Sequence, residues 1–258
     1  MRVPEQITKL VERGALFVVN HSGGKDSQAM LIELRRVIPE KQLLIIHADL
    51  PGVDWAGIAE HIDETRGNIP VITCRAVKTF FEMVEHRQNW PTPQLRQCTS
   101  DLKRGPIERE IRRYLAKHPE FRNLVVNCMG LRAAESPGRA KLEVFKLNNK
   151  NSVAGREWYD WLPIHEVGDT RGTEIFAIIA AAGEKPHWAY AKGMSRLSCC
   201  FCIMANQHDL TTAAKLQPEL YRRYVETEKR LGKTMDMKQR GLEEITGIKV
   251  EEPYSQAA

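Results

Sequence analysis

Short runs that are apolar at every position alternate along the chain with stretches whose apolar positions repeat at helical spacing. Residues 15–20 are one such run, and it gives way to the polar, glycine-rich stretch 21–27. Residues 28–37 then place Met30, Leu31, Leu34 and Val37 on one helix face. A second apolar run covers 43–47, a second helical pattern 56–65 and a third strand-like run 70–74. Full apolarity over a few residues suits strands buried on both faces. The alternation therefore predicts a mostly parallel sheet flanked by helices, an α/β fold. Residues 106–118, with Ile107, Ile111, Tyr114 and Leu115, predict an amphipathic helix. A fourth strand over 124–128 ends at Gly130. The polar, irregular segment 131–155 reads as a mobile loop, 158–164 as an edge strand and 173–182 as a short helix. Residues 205–231 read as one or two helices interrupted near Pro218, and 251–258 as a loose tail. No sharp shift in composition divides the chain. The expected organisation is an α/β core over 1–160 with a C-terminal extension over 161–258 packed on it.

Composition narrows the class. The chain has 258 residues, 42% hydrophobic and 28% charged, which excludes collagen-like, mucin-like and wholly disordered chains. A net charge of +5 suits an anionic ligand but does not by itself imply nucleic acid. No apolar run approaches the ~20 residues of a membrane span, and the N-terminal stretch lacks a signal-peptide core. The expectation is a cytoplasmic protein with no membrane partner. Thiols stay reduced there, so clustered cysteines point to metal or catalysis rather than disulfides.

The chemistry concentrates first in Ser22-Gly-Gly-Lys-Asp-Ser27. It lies between a predicted strand and a predicted helix. Gly23 and Gly24 let backbone N–H groups approach phosphate oxygens, and the helix aims its positive end at the same place. Lys25 adds a full charge, Ser22 and Ser27 add hydroxyls, and Asp26 serves magnesium or caps the helix. The bland alternative is a tight turn with an ordinary N-cap. The segment is not a Walker A loop, which has a different spacing. At the ends of two further strands lie His47-Ala-Asp49 and Gly130-Leu-Arg132-Ala-Ala-Glu135-Ser136-Pro-Gly-Arg139. Ligands of open α/β sheets bind at such ends, and guanidinium groups pair phosphate oxygens in a fork.

These residues carry a resemblance. Ser22–Ser27 resembles the PP-loop of the adenine nucleotide alpha-hydrolase-like superfamily, a Rossmann-like fold of about five strands. Gly130–Arg139 resembles the Gly-x-Arg-x-x-Glu-Ser-x-x-Arg stretch of the phosphoadenylyl-sulfate (PAPS) reductase family. Gly193-x-x-Arg196-x-x-Cys199-x-x-Cys202 and Asp160-Trp-Leu-Pro-Ile164 are similar to that family as well. The resemblance implies that Ser22–Ser27 hold phosphates, with Lys25, Ser22 and Asp26 catalytic. His47 and Asp49 would lie beside the adenosine. Gly130, Arg132, Glu135, Ser136 and Arg139 would complete the nucleotide site, with ATP and Mg²⁺ as the implied ligands.

Cys199 and Cys202 have the spacing with which two thiolates grip one metal centre, and Cys200 lies between them. Cys98 stands upstream among basic residues. Cys98, Cys199, Cys202 and either Cys200 or Cys128 are the candidate ligands; Cys74 reads as a small buried apolar residue. Family reductases with a 4Fe–4S cluster use a Cys-Cys pair plus a Cys-x-x-Cys pair. Thr99 stands where the first pair would have its second cysteine. Zinc is the alternative, and free thiols the bland one. The family's reductase cysteine in a C-terminal tail has no counterpart, since no cysteine follows Cys202.

Residues 102–118 hold Lys103, Arg104, Arg109, Arg112, Arg113 and Lys117, either a solvated helix face or a patch for phosphates. Trp158, Trp161, Trp188 and Tyr190 are either packing residues or base-stacking ones. The expected function is an ATP pyrophosphatase that releases AMP and pyrophosphate, with adenylation of a substrate for sulfur transfer or nucleic-acid modification. The alternatives are a PAPS or adenylyl-sulfate reductase, and a non-catalytic nucleotide-binding accessory of a type IV CRISPR or DNA-modification nucleoprotein complex.

Overall fold

The computed structural model describes residues 3–169 and 171–251. The chain divides into two compact units that interleave along the sequence rather than meeting at one cut. The first gathers the segment up to Asp49, Ala56–Arg75 and Lys103–His187; the second gathers Leu50–Trp55, Ala76–Leu102 and the segment from Trp188 on. The chain leaves the first unit after Asp49 and again after Arg75.

The first unit is built on a six-stranded sheet of order β3-β2-β1-β4-β6-β5. Its strands are β1 (Leu16–Asn20), β2 (Leu43–Ala48), β3 (Val71–Cys74), β4 (Leu124–Cys128), β5 (Phe145–Leu147) and β6 (Glu157–Trp161). All pairs are parallel except β5 with β6. Leu16, Val18, Leu44, Ile46, Val125 and Trp158 pack into one buried cluster with Ile111 and Leu115 of the helix Gly105–Lys117. That helix buries Ile111 and Leu115 at i, i+4 spacing, as its periodicity predicts.

Two expectations change here. The strand expected at the edge, β6, lies inside the sheet, and the segment expected to be loose supplies the edge strand β5. The reason is polar. Asp160 on β6 accepts from Asn127 Nδ2 of β4 (3.1 Å) and from Asn148 Nδ2 just after β5 (2.9 Å). Asn20 of β1 continues the ladder through Asn127 Oδ1 (2.7 Å). A satisfied, half-buried network fixes register where apolar side chains alone would allow slippage.

In the second unit, helices Phe80–Arg87 and Pro218–Leu231 pack through aromatic rings. Phe80, Phe81, Trp90 and Phe201 all meet Tyr224. Thr79 and Glu82 close a capping box at the start of the first helix. The buried Glu228 carboxylate accepts the N–H groups of Met235 and Leu242, both at 2.8 Å. No helix among the described residues is long and apolar enough to cross a membrane. The expected loose tail lies outside the described residues beyond position 251.

Candidate functional site

The strand order reverses at β1, with β2 on one side and β4 on the other. The crevice at such a switch point, outside the carboxyl ends of the strands, is where open α/β sheets take ligands. Two loops meet there. After β1 the chain turns at Gly23, whose φ of +75° favours glycine and whose added Cβ would stand 2.9 Å from Ile58 Cγ2. The helix Lys25–Arg35 follows at once. After β4, Gly130 passes so close that a Cβ would lie 3.2 Å from the Asp26 carbonyl carbon.

The loop is folded on itself. Ser27 Oγ donates to the Gly24 carbonyl (2.9 Å) and accepts the Ser22 N–H (3.2 Å). The Gly23 N–H is taken by His21 Nδ1 (3.1 Å). By contrast, no side chain caps the start of the helix, where Gly24 is the N-cap. The positive end of this eleven-residue helix carries Asp26 in its first turn.

Charge follows the same plan. Lys25 and Arg132 are buried, and both pair with Asp26, Lys25 Nζ at 3.4 Å and Arg132 Nε at 2.6 Å. Two cations thus share one carboxylate. Arg132 also donates from Nη1 to the Asp169 carbonyl (2.8 Å). The Asp169 side chain accepts from Gly172 N and Thr173 N at the start of helix Thr173–Ala181, and the Thr173 bond holds its carboxyl below the usual range. Gly172 lies directly on the lysine stem: its φ is +75° and a Cβ would come within 2.8 Å of Lys25 Cε. The Phe176 ring stands 5.9 Å from Lys25 Nζ, a cation–π distance.

The remaining residues expected at the site fall into two groups. Glu135 and Ser136 shape the second loop. Glu135 accepts the Arg132 N–H (2.9 Å) and pairs with Arg139, while Ser136 Oγ accepts the Arg139 N–H (3.2 Å). His47 and Asp49 lie at the end of β2. His47 Nδ1 bonds the His21 carbonyl (2.9 Å), which places its proton on Nδ1 and leaves Nε2 as an acceptor. Asp49 pairs with Arg75 at 2.5 Å, tying β2 to the end of β3.

Sequence reasoning missed a layer of polar residues behind the loop. His61 Nε2 bonds Gln28 Oε1 (3.3 Å), and Gln28 Nε2 donates to Glu184 Oε2 (2.8 Å). His187 stands edge-on to His61 at 5.5 Å and bonds the Ala56 carbonyl. Gln28 is fully buried on the same helix as Met30 and Leu31, a polar residue in an apolar stripe, and that was the available signal. His21 is the most constrained of the set. Its Nδ1 accepts, so Nε2 carries the proton, and that atom is buried without a partner.

Burial first, then His61 and His47, push His21 from 6.5 down to about 3. A histidine neutral in the fold and charged in the unfolded chain leaves stability intact above pH 6.5 and erodes it as the pH falls toward 3. The slope is ~1.4 kcal/mol per pH unit, so His21 alone removes about 2 kcal/mol between pH 7 and pH 5. His21→Asn, which keeps an acceptor for the Gly23 N–H, should flatten that slope in urea unfolding at the two pH values. An unchanged slope contradicts a buried neutral His21.

The cysteines separate by unit. Cys74 and Cys128 belong to the sheet. Burial pushes the Cys74 thiol up to about 11 and the Cys128 thiol well above its ordinary value. Cys98, Cys199, Cys200 and Cys202 all belong to the second unit. There Cys202 Sγ accepts the Met204 N–H (3.5 Å), and a hydrogen bond from Cys199 is the largest cause holding its thiol well below the ordinary value. Cys200 is pushed up to about 12, by burial first and then by Asp54. The Tyr224 hydroxyl is fully buried, has no hydrogen-bond partner, and is raised by burial and then by Cys199, Cys200, Cys202 and Cys98.

The basic helix face is neutralised in part. Arg109 and Arg113 pair with Glu110, and Lys150 pairs with Glu108. Trp158 and Trp161 are fully buried in the core, and Trp188 packs edge-on against Trp55.

The sequence model of the phosphoadenosine phosphosulfate reductase domain matches residues 17–205. Among curated proteins, the chain is similar to an uncharacterized protein of Methanocaldococcus jannaschii, 26% identical over 220 residues, covering 85% of this chain and 49% of that protein. It is also similar to an uncharacterized 37.8 kDa protein of Escherichia phage 186, 28% identical over 154 residues, covering 58% of this chain and 42% of that protein. The chain spans about half the length or less of these relatives. Among solved structures it is similar to a PAPS reductase from Candida auris in a phosphate complex, with a TM-score of 0.47 and 10% identity, covering 77% of this chain and 97% of that one.

Proposed function

The chain belongs to the phosphoadenosine phosphosulfate reductase domain family, and from that premise we propose that it binds ATP on Ser22–Ser27 and cleaves it to AMP and pyrophosphate. The observation that carries this reading is the buried pair of cations, Lys25 and Arg132, sharing Asp26 beside an uncapped helix start. Two buried cations beside the carboxyl ends of the strands suit an anion. Phosphate oxygens supply it and meet backbone N–H groups at the same place.

In this reading an acceptor attacks the α-phosphorus, the bridging α–β oxygen bond breaks, and pyrophosphate leaves with the electron pair. A second nucleophile, or water, then attacks the adenylated acceptor, and the acceptor–oxygen bond breaks with AMP as the leaving group. Lys25 and the loop amides stabilise the charge that gathers on the leaving pyrophosphate. Mg²⁺, if it arrives with the nucleotide, would supply further positive charge to the phosphates. Arg132 holds Asp26 and the Asp169 carbonyl, and Glu135 with Ser136 fixes Arg139 within the second loop. His47 Nε2, an acceptor at the end of β2, suits a donor on the nucleoside.

The family supports a second reading, reduction of an adenylyl sulfate held on the same loop. Product analysis separates them. Incubation with ATP and Mg²⁺ should yield AMP and pyrophosphate in equal amounts, and incubation with PAPS and a thiol reductant should yield no sulfite. Sulfite without AMP formation would replace the first reading by the second.

The four cysteines of the second unit are proposed to hold a 4Fe–4S cluster, with zinc as the alternative. Such a centre, when bound, cross-links segments far apart in sequence and supplies polarisable sulfur ligands.

A further inference from the structure

The first unit holds a second pair of cations away from the loop Ser22–Ser27. Arg112 lies on the helix Gly105–Lys117, and Arg156 stands one residue before β6. Both are half-buried. They converge on one residue, Asn151, in the turn between β5 and β6. Arg112 Nη1 donates to Asn151 Oδ1 at 3.5 Å, and Arg156 Nε donates to the Asn151 carbonyl at 2.9 Å. Because β6 runs parallel to β4 and β1, its start lies at the end of the sheet opposite the switch-point crevice.

Neither guanidinium has a carboxylate partner among the described residues. The neighbouring carboxylates are already taken. Glu108 pairs with Lys150, Glu110 with Arg109 and Arg113, and Glu157 with Arg13. Burial first, and then the charge of Arg112, hold the Arg156 guanidinium below its ordinary value.

Asn151 adds a donor to the pair. The residue is only 4% exposed, and its Nδ2 has no hydrogen-bond partner. Its own N–H reaches the Asn148 carbonyl and Asn148 Oδ1, both at 3.1 Å, which holds the residue in place. Exchanging the amide oxygen and nitrogen would set a donor against the Arg112 donor, so the orphan atom is the N–H₂ group. A buried donor left unpaired is costly. Two guanidiniums beside it offer planar forks that match the oxygens of a tetrahedral anion.

We propose that Arg112, Arg156 and Asn151 Nδ2 form a binding site for a phosphate group, separate from the loop Ser22–Ser27. A small phosphate ester and a polynucleotide backbone present the same oxygens to it. The site does not rest on the ATP reading of the loop.

The test titrates the full chain with inorganic phosphate, read as melting temperature, and with labelled single-stranded oligothymidylate, read as fluorescence anisotropy. Wild type is compared with Arg112→Gln, Asn151→Asp and Lys25→Met. Arg112 makes one long side-chain bond, so Arg112→Gln should keep the wild-type melting temperature. Its phosphate affinity should fall roughly tenfold. Asn151→Asp places a carboxylate between the two guanidiniums. Without phosphate it should melt about 2–4 °C above the wild type, and phosphate should no longer raise that temperature. Lys25→Met, which alters only the loop, should keep the phosphate response. Oligothymidylate binding that weakens in Arg112→Gln supports the site with a polynucleotide as its source of phosphate. A phosphate response without oligothymidylate binding supports it with a small ester as the source. A response that survives both Arg112→Gln and Asn151→Asp, or disappears in Lys25→Met, belongs to the loop and overturns the proposal. A wild type that responds to neither probe overturns it, as does an Asn151→Asp variant that melts below the wild type.

Discussion

Arg132→Leu should lower the unfolding free energy by about 3 kcal/mol and abolish nucleotide binding. The guanidinium is only 2% exposed, and it spends its donors on Asp26 Oδ1 and the Asp169 carbonyl. Leucine fills the volume but leaves the Asp26 carboxylate with Lys25 alone, at 3.4 Å. Removing one partner of a buried pair costs more than the pair was worth, because the other charge stays desolvated. The Asp169 carbonyl loses its tie to the second loop in the same step. Arg132→Lys should recover only part of the loss, since a point charge cannot bond carboxylate and carbonyl from one planar fork. Denaturant midpoints for the three proteins measure this. A loss under about 1 kcal/mol in Arg132→Leu would mean that the bonds carry no load.

Lys25→Met should do the reverse: stability should change by less than about 1 kcal/mol, while ATP affinity falls about a hundredfold, equivalent to ~2.7 kcal/mol. Asp26 keeps its shorter bond to Arg132 at 2.6 Å when Lys25 is removed. Methionine matches the stem that passes beneath Gly172 and makes a favourable sulfur contact with Phe176. What is lost is the charge aimed at the phosphates. The contrast between the two variants is the informative quantity. If both only destabilise, the cluster is a structural ion network and not a ligand site.

Much of this arrangement is legible in the sequence. Strands β1, β2 and β4 are apolar at nearly every position, so burial on both faces and parallel pairing follow directly. Ser22–Ser27 carries its chemistry in consecutive residues, and Arg132 lies at the end of a recognisable strand. What eludes sequence reading is held by contacts between distant residues. Asp169 and Gly172 close over Lys25 from more than a hundred positions away, and nothing local marks them. Asp160 places β6 inside the sheet through hydrogen bonds to Asn127 and Asn148, residues far from it or across a turn in sequence. His21 and Gln28 are polar residues at buried positions, so hydropathy patterns pass over them. The division into interleaved units is invisible for the same reason: short excursions such as Leu50–Trp55 have no compositional signature. For the cysteines, sequence left the fourth ligand open between Cys200 and Cys128. Cys128 lies in β4 within the sheet unit, while Cys200 shares the second unit with the other three.

The claim that Ser22–Ser27, Lys25 and Arg132 form a nucleotide phosphate site is tested most directly by calorimetric titration of the wild-type chain with ATP and Mg²⁺. One saturable site per chain, weakened about a hundredfold by Lys25→Met at unchanged melting temperature, is the predicted result. A wild type that releases no binding heat at any of several temperatures, or equal affinity in wild type and Lys25→Met, would contradict it.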